Sequence, residues 1–88
     1  GPADTVLVLG CGPIGAFIVE VARELGAKVY AADLLPDRLA VAETLGAVPL
    51  LSDENLLQKT LDLTNGEGMP VVIEATGVPK VIEQTVEL

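Results

Sequence analysis

The residues of this chain that can do chemistry gather in two short stretches, Gly10-Cys11-Gly12-Pro13-Ile14-Gly15 and Ala31-Ala32-Asp33. The first places glycines in the spacing G-x-G-x-x-G directly behind the apolar run Val6-Leu7-Val8-Leu9. Each glycine answers a physical need. Gly10 permits a sharp turn, Gly12 leaves the backbone open to the close approach of a pyrophosphate, and Gly15 lets a helix pack tightly on the strand before it. Pro13 has no N–H to lose and a φ already near the helical value, so it suits the first turn of that helix. The remaining free amides and the positive end of the helix dipole make a seat for a phosphate anion.

Asp33 closes the next apolar run, Val29-Tyr30-Ala31-Ala32. A carboxylate there can accept both hydroxyls of an adenosine ribose and would repel a 2′-phosphate, which favours NAD over NADP. The plainer alternative is a solvated strand-end acid. Arg38 either flanks the adenosine edge or is a surface arginine without a specific contact, and such surface pairs are weak. Thr76 and Gly77 follow a fourth apolar run, Val71-Val72-Ile73, at the end of a strand where ligands collect in open α/β folds. Their backbone lines a cofactor ribose or is a simple strand-to-helix turn. Glu74, inside that run, is costly if buried unpaired, so it either faces solvent or pairs with a group outside these residues. Cys11 sits near a helix N-terminus but has no His or Lys beside it to act as a base. The expected role is packing inside the turn rather than nucleophilic chemistry.

These groups need a scaffold, and the hydrophobic pattern supplies one. An unbroken apolar run such as Val6 to Leu9 is expected of a parallel strand covered on both faces. A helix is expected from Pro13 to Leu25, its apolar stripe Ile14, Phe17, Ile18, Val21, Ala22 and Leu25, stopped by Gly26. The second strand is Lys28 to Asp33. A second helix runs from Pro36 to about Leu45, burying Leu39, Ala42 and Leu45, weakly capped by Leu35 and stopped by Gly46. Val48 to Leu51 is a third strand, placed at an edge by Pro49. Ser52 or Asp53 caps a third helix carrying Leu56, Leu57, Thr60 and Leu61 and ending near Asn65-Gly66. The fourth strand runs from Val71 to about Ala75, and a last helix opens at Pro79. The order β-α-β-α-β-α-β-α predicts a parallel sheet with strand order 3-2-1-4, the first half of a doubly wound Rossmann-type fold. The fourth strand then keeps an open edge, at which a second copy is expected to pair.

Composition narrows the field. At 88 residues the chain is one small domain or a piece of a larger one. Five basic against thirteen acidic residues give a net charge of −8, which repels nucleic acid and anionic membranes alike. A phosphate must therefore be held by backbone amides more than by a cationic patch. With one cysteine and no histidine, neither a disulfide framework nor a zinc site is expected within these residues. No apolar run approaches the roughly 20 residues that span a bilayer, and no basic leader precedes one. A cytoplasmic location is expected.

Four phrases taken together resemble one family. They are Val-Leu-Val-Leu-Gly-Cys-Gly-Pro-Ile-Gly, Ala-Ala-Asp followed by Pro-Asp-Arg-Leu, Leu-Gly-Ala, and Val-Val-Ile-Glu-Ala-Thr-Gly-Val-Pro. From Asp4 to Leu88 the chain is similar to the zinc-dependent medium-chain dehydrogenases that act on alcohols, polyols and threonine. The resemblance implies an oxidoreductase passing hydride between NAD and a small alcohol or ketone. It also implies a partial cofactor domain over residues 1–88, without catalytic residues and inactive alone, in a longer chain. There a separate catalytic domain holds zinc through Cys, His and Glu. Carried over residue by residue, the cofactor contacts fall on Gly10, Gly12, Pro13, Ile14, Gly15, Asp33, Arg38, Ala75 and Thr76, with Val78 beyond them. Leu34-Leu35, Pro49 and Met69-Pro70 depart from the family pattern and bear on strand ends. Two rivals share part of the pattern. An S-adenosylmethionine-dependent methyltransferase has a similar glycine loop, but usually an acid where Val8 stands and a third glycine one residue before Gly15. A non-enzymatic NAD-binding module that gates a channel would share Gly10 to Gly15 and Asp33, but the segment from Glu74 to Pro79 fits the dehydrogenases better.

Overall fold

A computed structural model describes residues 4–76. The helix expected from Pro79, together with Gly77 and Val78, lies outside the described residues. Inside them the elements are β1 (Thr5–Leu9), α1 (Pro13–Glu24), β2 (Lys28–Asp33), α2 (Pro36–Thr44), β3 (Val48–Leu51), α3 (Leu56–Leu63) and β4 (Val71–Glu74). All strand pairs are parallel, in the order β3-β2-β1-β4, as the pattern of strands and helices predicts. Pro49 lies in an outer strand, where its missing N–H interrupts no ladder on the far side.

The strands alternate their side chains between two layers. Val6, Val8, Val29 and Ala31 meet Val19 of α1 and Ala42 of α2 on one face of the sheet. Leu7, Tyr30 and Ala32 meet Leu50, Leu56 and Met69 on the other, so α3 covers the face opposite to α1 and α2. Both α1 and α2 end in the same tripeptide, Leu-Gly-Ala. In each, the glycine takes positive φ and donates to the carbonyl three residues back (Gly26 to Arg23, Gly46 to Glu43). The following alanine reaches five residues back, Ala27 to Ala22 and Ala47 to Ala42, which completes a Schellman stop. Ala27 and Ala47 are buried, so each stop delivers the chain straight into the next strand.

Two expectations need correction. The buried face of α1 is Gly15 and Val19, flanked by Ile18 and Ala22; Phe17 and Leu25 are 64% and 82% exposed, and Ile14 and Val21 are exposed with them. Two apolar stripes overlap on this helix, and the one containing a glycine wins because the absent side chain lets the helix sit down there. Next, α3 begins at Leu56 with Asn55 at its N-cap position and no side-chain cap. Asp53 instead closes the turn leading into it, its Oδ1 accepting the Asn55 N–H at 2.9 Å. As expected, β4 keeps an open edge: among the described residues it is paired on one side only, which leaves Val71 and Val72 exposed.

Candidate cofactor site

The site is built around the end of β1. Gly10 donates its N–H to the Ala32 carbonyl of β2 at 2.8 Å, and Ala75 donates to the Leu9 carbonyl at 2.7 Å, so the turn is wedged between two neighbouring strand ends. Gly10 has φ +96°, and a Cβ there would lie 3.0 Å from backbone atoms of Ala75 and Thr76. A Cβ on Gly15 would collide with the Gly10 carbonyl oxygen. The close packing expected of Gly15 is therefore against the turn itself. Gly12 differs: its φ is −69°, and a Cβ would sit 3.6 Å from Nη1 of Arg38, an ordinary contact with a flexible side chain. Nothing among the described residues requires a glycine at this position. The helix ladder of α1 starts with Ala16 donating to Gly12 at 2.8 Å, which leaves the amides of Ile14 and Gly15 in the first turn without an earlier helical carbonyl to bond.

Asp33 is buried, which overturns the solvated alternative. Its Oδ2 accepts the Cys11 N–H at 2.7 Å and its Oδ1 accepts the Leu35 N–H at 2.9 Å. Nη1 of Arg38 lies 3.9 Å from Oδ2. Burial alone would push the carboxyl up. The amides of Cys11 and Leu35, the Arg38 charge and the Leu34 amide together outweigh it and hold the group below the ordinary carboxylate range. Arg38 is half exposed but not without a contact: it pairs with Asp33 and lies beside Gly12. Cys11 is buried beneath the turn, where its thiol donates to the Ala32 carbonyl at 3.5 Å. Burial, helped by the Asp33 charge and only partly opposed by Arg38, pushes the thiol up to about 11, so it packs as a neutral group. Glu74 is exposed among the described residues and accepts the Thr76 N–H on Oε1 at 2.9 Å, closing the turn after β4.

A cleft of about 580 Å³ crosses the carboxyl ends of the strands. Gly10, Gly12, Pro13 and Ile14 line it from the glycine turn, Asp33 and Arg38 lie next to that turn, and Ala75 and Thr76 line it beyond β4. Of the cofactor contacts expected among the described residues, Gly15 alone is absent from this lining; it is buried within α1 beneath the turn. Ser52 and Leu34 line the cleft without having been expected. Both directly follow a strand's carboxyl end, and that position is the signal that could have found them. Ser52 also ties β3 to β2, its N–H donating to the Asp33 carbonyl at 2.9 Å. Among the described residues no three of His, Cys, Asp and Glu come together as a metal-ligand set, and no helix is long and apolar enough to cross a membrane.

Parallel strands in this order, with the chain reversing direction across the sheet between β3 and β4, define a Rossmann-type α/β unit whose crevice lies at the switch point. Residues 13–88 match the family described as zinc-binding dehydrogenase, and the chain belongs to that family. It is 39% identical over 88 residues to (R,R)-butanediol dehydrogenase of Bacillus subtilis (strain 168), covering 96% of this chain and 25% of that protein. Among solved structures, the alcohol dehydrogenase TADH from Thermus sp. ATN1 superposes with a TM-score of 0.81 at 41% identity, over 98% of this chain and 26% of that one. An alcohol dehydrogenase (rspB) from E. coli CFT073, complexed with NADH, superposes with a TM-score of 0.73 at 31% identity, over 97% and 26%. The chain thus spans about a quarter of the length of the relatives it matches.

Proposed function

We propose that these residues are the NAD-binding portion of a zinc-dependent alcohol or polyol dehydrogenase that transfers hydride between NAD and a small alcohol or ketone. Gly12 carries the reading. The protein's own packing does not need a glycine there, whereas a pyrophosphate resting on the turn would occupy the volume of its Cβ. Membership of a dehydrogenase family, and a relative solved with NADH, support this reading over the methyltransferase and channel-regulator alternatives.

The residues of the cleft fit the cofactor in parts. The amides of Gly12, Ile14 and Gly15 and the positive end of α1 hold the pyrophosphate. Asp33 accepts ribose hydroxyls with the lone pairs left over after Cys11 and Leu35, and its charge turns away a 2′-phosphate. Arg38 supplies a nearby cation, and Ala75 and Thr76 form the wall beneath the rest of the dinucleotide. NAD, when bound, supplies the hydride acceptor. Neither Cys11 nor Asp33 is poised to take an alcohol's proton: Cys11 is a buried neutral thiol and Asp33 is tied to two amides. The zinc and the substrate contacts belong, on this reading, to the further length that the relatives carry. The 88 residues alone bind cofactor and turn nothing over. Their setting is the cytoplasm, with a second copy pairing along the exposed edge of β4.

Titrating the ¹⁵N-labelled protein with NAD, NADP and S-adenosylmethionine in parallel tests the assignment. Shifts at Gly10 to Gly15 and Asp33 with NAD, weaker with NADP and lost in Gly12→Val, are expected. A selective response to S-adenosylmethionine, or an equal response to NAD and NADP, overturns it. Sedimentation of the same sample tests the pairing, which a constant monomer mass at every concentration would exclude.

A further inference from the structure

We propose that Asp33 is a positioning residue of the glycine turn, its carboxylate holding the Cys11 amide and so setting the shape of the phosphate seat before any cofactor arrives. This role is distinct from reading the ribose. Gly10 ties the start of the turn to Ala32, but its far side lacks a side-chain tether: Gly12, the N-cap of α1, has no side chain with which to cap the helix. The bond from Cys11 to Asp33 reaches across 22 residues of sequence to the end of the neighbouring strand. On its other oxygen the same carboxylate takes the Leu35 amide at the N-cap of α2. One buried side chain thereby joins the turn after β1 to the turn after β2. Bonds to an ionised acceptor are about twice as strong as neutral ones, and removing the acceptor leaves two amides unpaired. Because the Cys11 N–H points to β2, the amides left to face the cleft are those of the first turn of α1.

The anchor and the ribose reader predict different outcomes. In the ligand-free protein, Asp33→Ala should lower the hydrogen-exchange protection of the Cys11 and Leu35 amides at least tenfold more than that of Leu7 and Val8 in β1. In Asp33→Asn, one carbonyl oxygen accepts one bond and the amide nitrogen accepts none, so only one of the two protections should survive. General loss of stability would instead lower all four by the same factor, and that result overturns the proposal. So does unchanged protection at Cys11. If Asp33→Ala does not fold, the Asn variant carries the comparison. A second arm rests on the dinucleotide reading above and uses 2′,3′-dideoxyadenosine diphosphate, which keeps the pyrophosphate and lacks both ribose hydroxyls. An anchor predicts that Asp33→Ala binds it about tenfold more weakly. A residue serving only hydroxyls predicts equal or tighter binding, because a negative neighbour has gone, and that outcome refutes the anchor. A wild-type protein that binds neither NAD nor this diphosphate sinks the dinucleotide reading alone; the exchange pattern then decides the anchor by itself.

Discussion

Two glycines of one motif should respond to alanine in different ways, and the difference can be worked from the structure. At Gly15 a methyl group would run into the Gly10 carbonyl oxygen. That oxygen cannot recoil: Gly10 is bonded to Ala32, and its own Cα faces the Ala75–Thr76 backbone, which a Cβ there would approach to 3.0 Å. Overpacking against a fixed neighbour costs about 1–3 kcal/mol, and this site belongs at the upper end. Alanine's better helix propensity returns about 1 kcal/mol. Gly15→Ala should therefore lose about 2 kcal/mol, a large share of the roughly 4–13 kcal/mol expected for a domain of this size. With m near about 1 kcal/mol/M, the urea midpoint falls by about 2 M. At Gly12 the added methyl group meets only the end of Arg38 at 3.6 Å, with φ already negative. The loss there is limited to the poorer N-cap preference of alanine, about 0.5–1 kcal/mol, while NAD binding should fall at least tenfold. The paired assay is urea unfolding followed by calorimetric titration with NAD. Equal destabilisation by the two variants, or a Gly15→Ala protein as stable as wild type, would refute the packing argument.

Asp33 lies below the ordinary value of 3.8 in the folded protein, so its contribution to stability is complete above that value and fades as pH falls through the lower folded one. The urea midpoints of wild type and Asp33→Asn should stay a constant distance apart from about pH 7 to about pH 5 and converge below about pH 4; a gap that widens on acidification contradicts the assignment. Cys11, buried and with its thiol pushed up to about 11, should resist iodoacetamide in the folded state at mildly alkaline pH and react readily in urea, with labelling followed by mass spectrometry. Leu25→Lys, at an exposed position, should change stability by less than about 0.5 kcal/mol, whereas Val19→Ala, in the core beneath α1, should cost about 2 kcal/mol by thermal or urea unfolding. NAD affinity should hold level or rise modestly as salt is added, since salt screens a net −8 protein from an anionic ligand; a steep loss would mean that Arg38, not the backbone, holds the phosphates.

The sheet order could be read from the chain because two local rules point the same way. Strand–helix alternation demands parallel strands, and Pro49 forbids β3 a central place. The glycine turn was equally plain, since φ and close approach are properties of single residues. What sequence reasoning missed depends on register. Leu9 stands opposite Ala32, so the chain just past β1 runs alongside the end of β2, and Cys11 lands within bonding distance of Asp33. No periodicity announces a bond between a backbone amide and a carboxylate so far along the chain. The rotation of α1 was missed for a related reason. Gly15 carries no hydrophobic weight, yet the absence of a side chain is what brings that face of the helix down onto the turn and leaves Phe17 and Leu25 outside.

Net charge and the proposed cofactor site look opposed in this protein, and the geometry around Asp33 gives a way for them to coexist. A chain with thirteen acidic and five basic residues is a poor general anion binder. The cleft meets that penalty by turning a buried carboxylate inward: Asp33 faces two amides and a guanidinium, so much of its field is met by local donors before it reaches the proposed phosphate seat. The seat proposed for the phosphates is made of dipoles from the first turn of α1, which act at short range and add no net charge. Recognition built this way discriminates by shape and hydrogen bonding more than by attraction. On the proposed function, the acid that would turn away a 2′-phosphate is also the group proposed to hold the glycine turn, and replacing it to admit NADP should weaken binding of both cofactors.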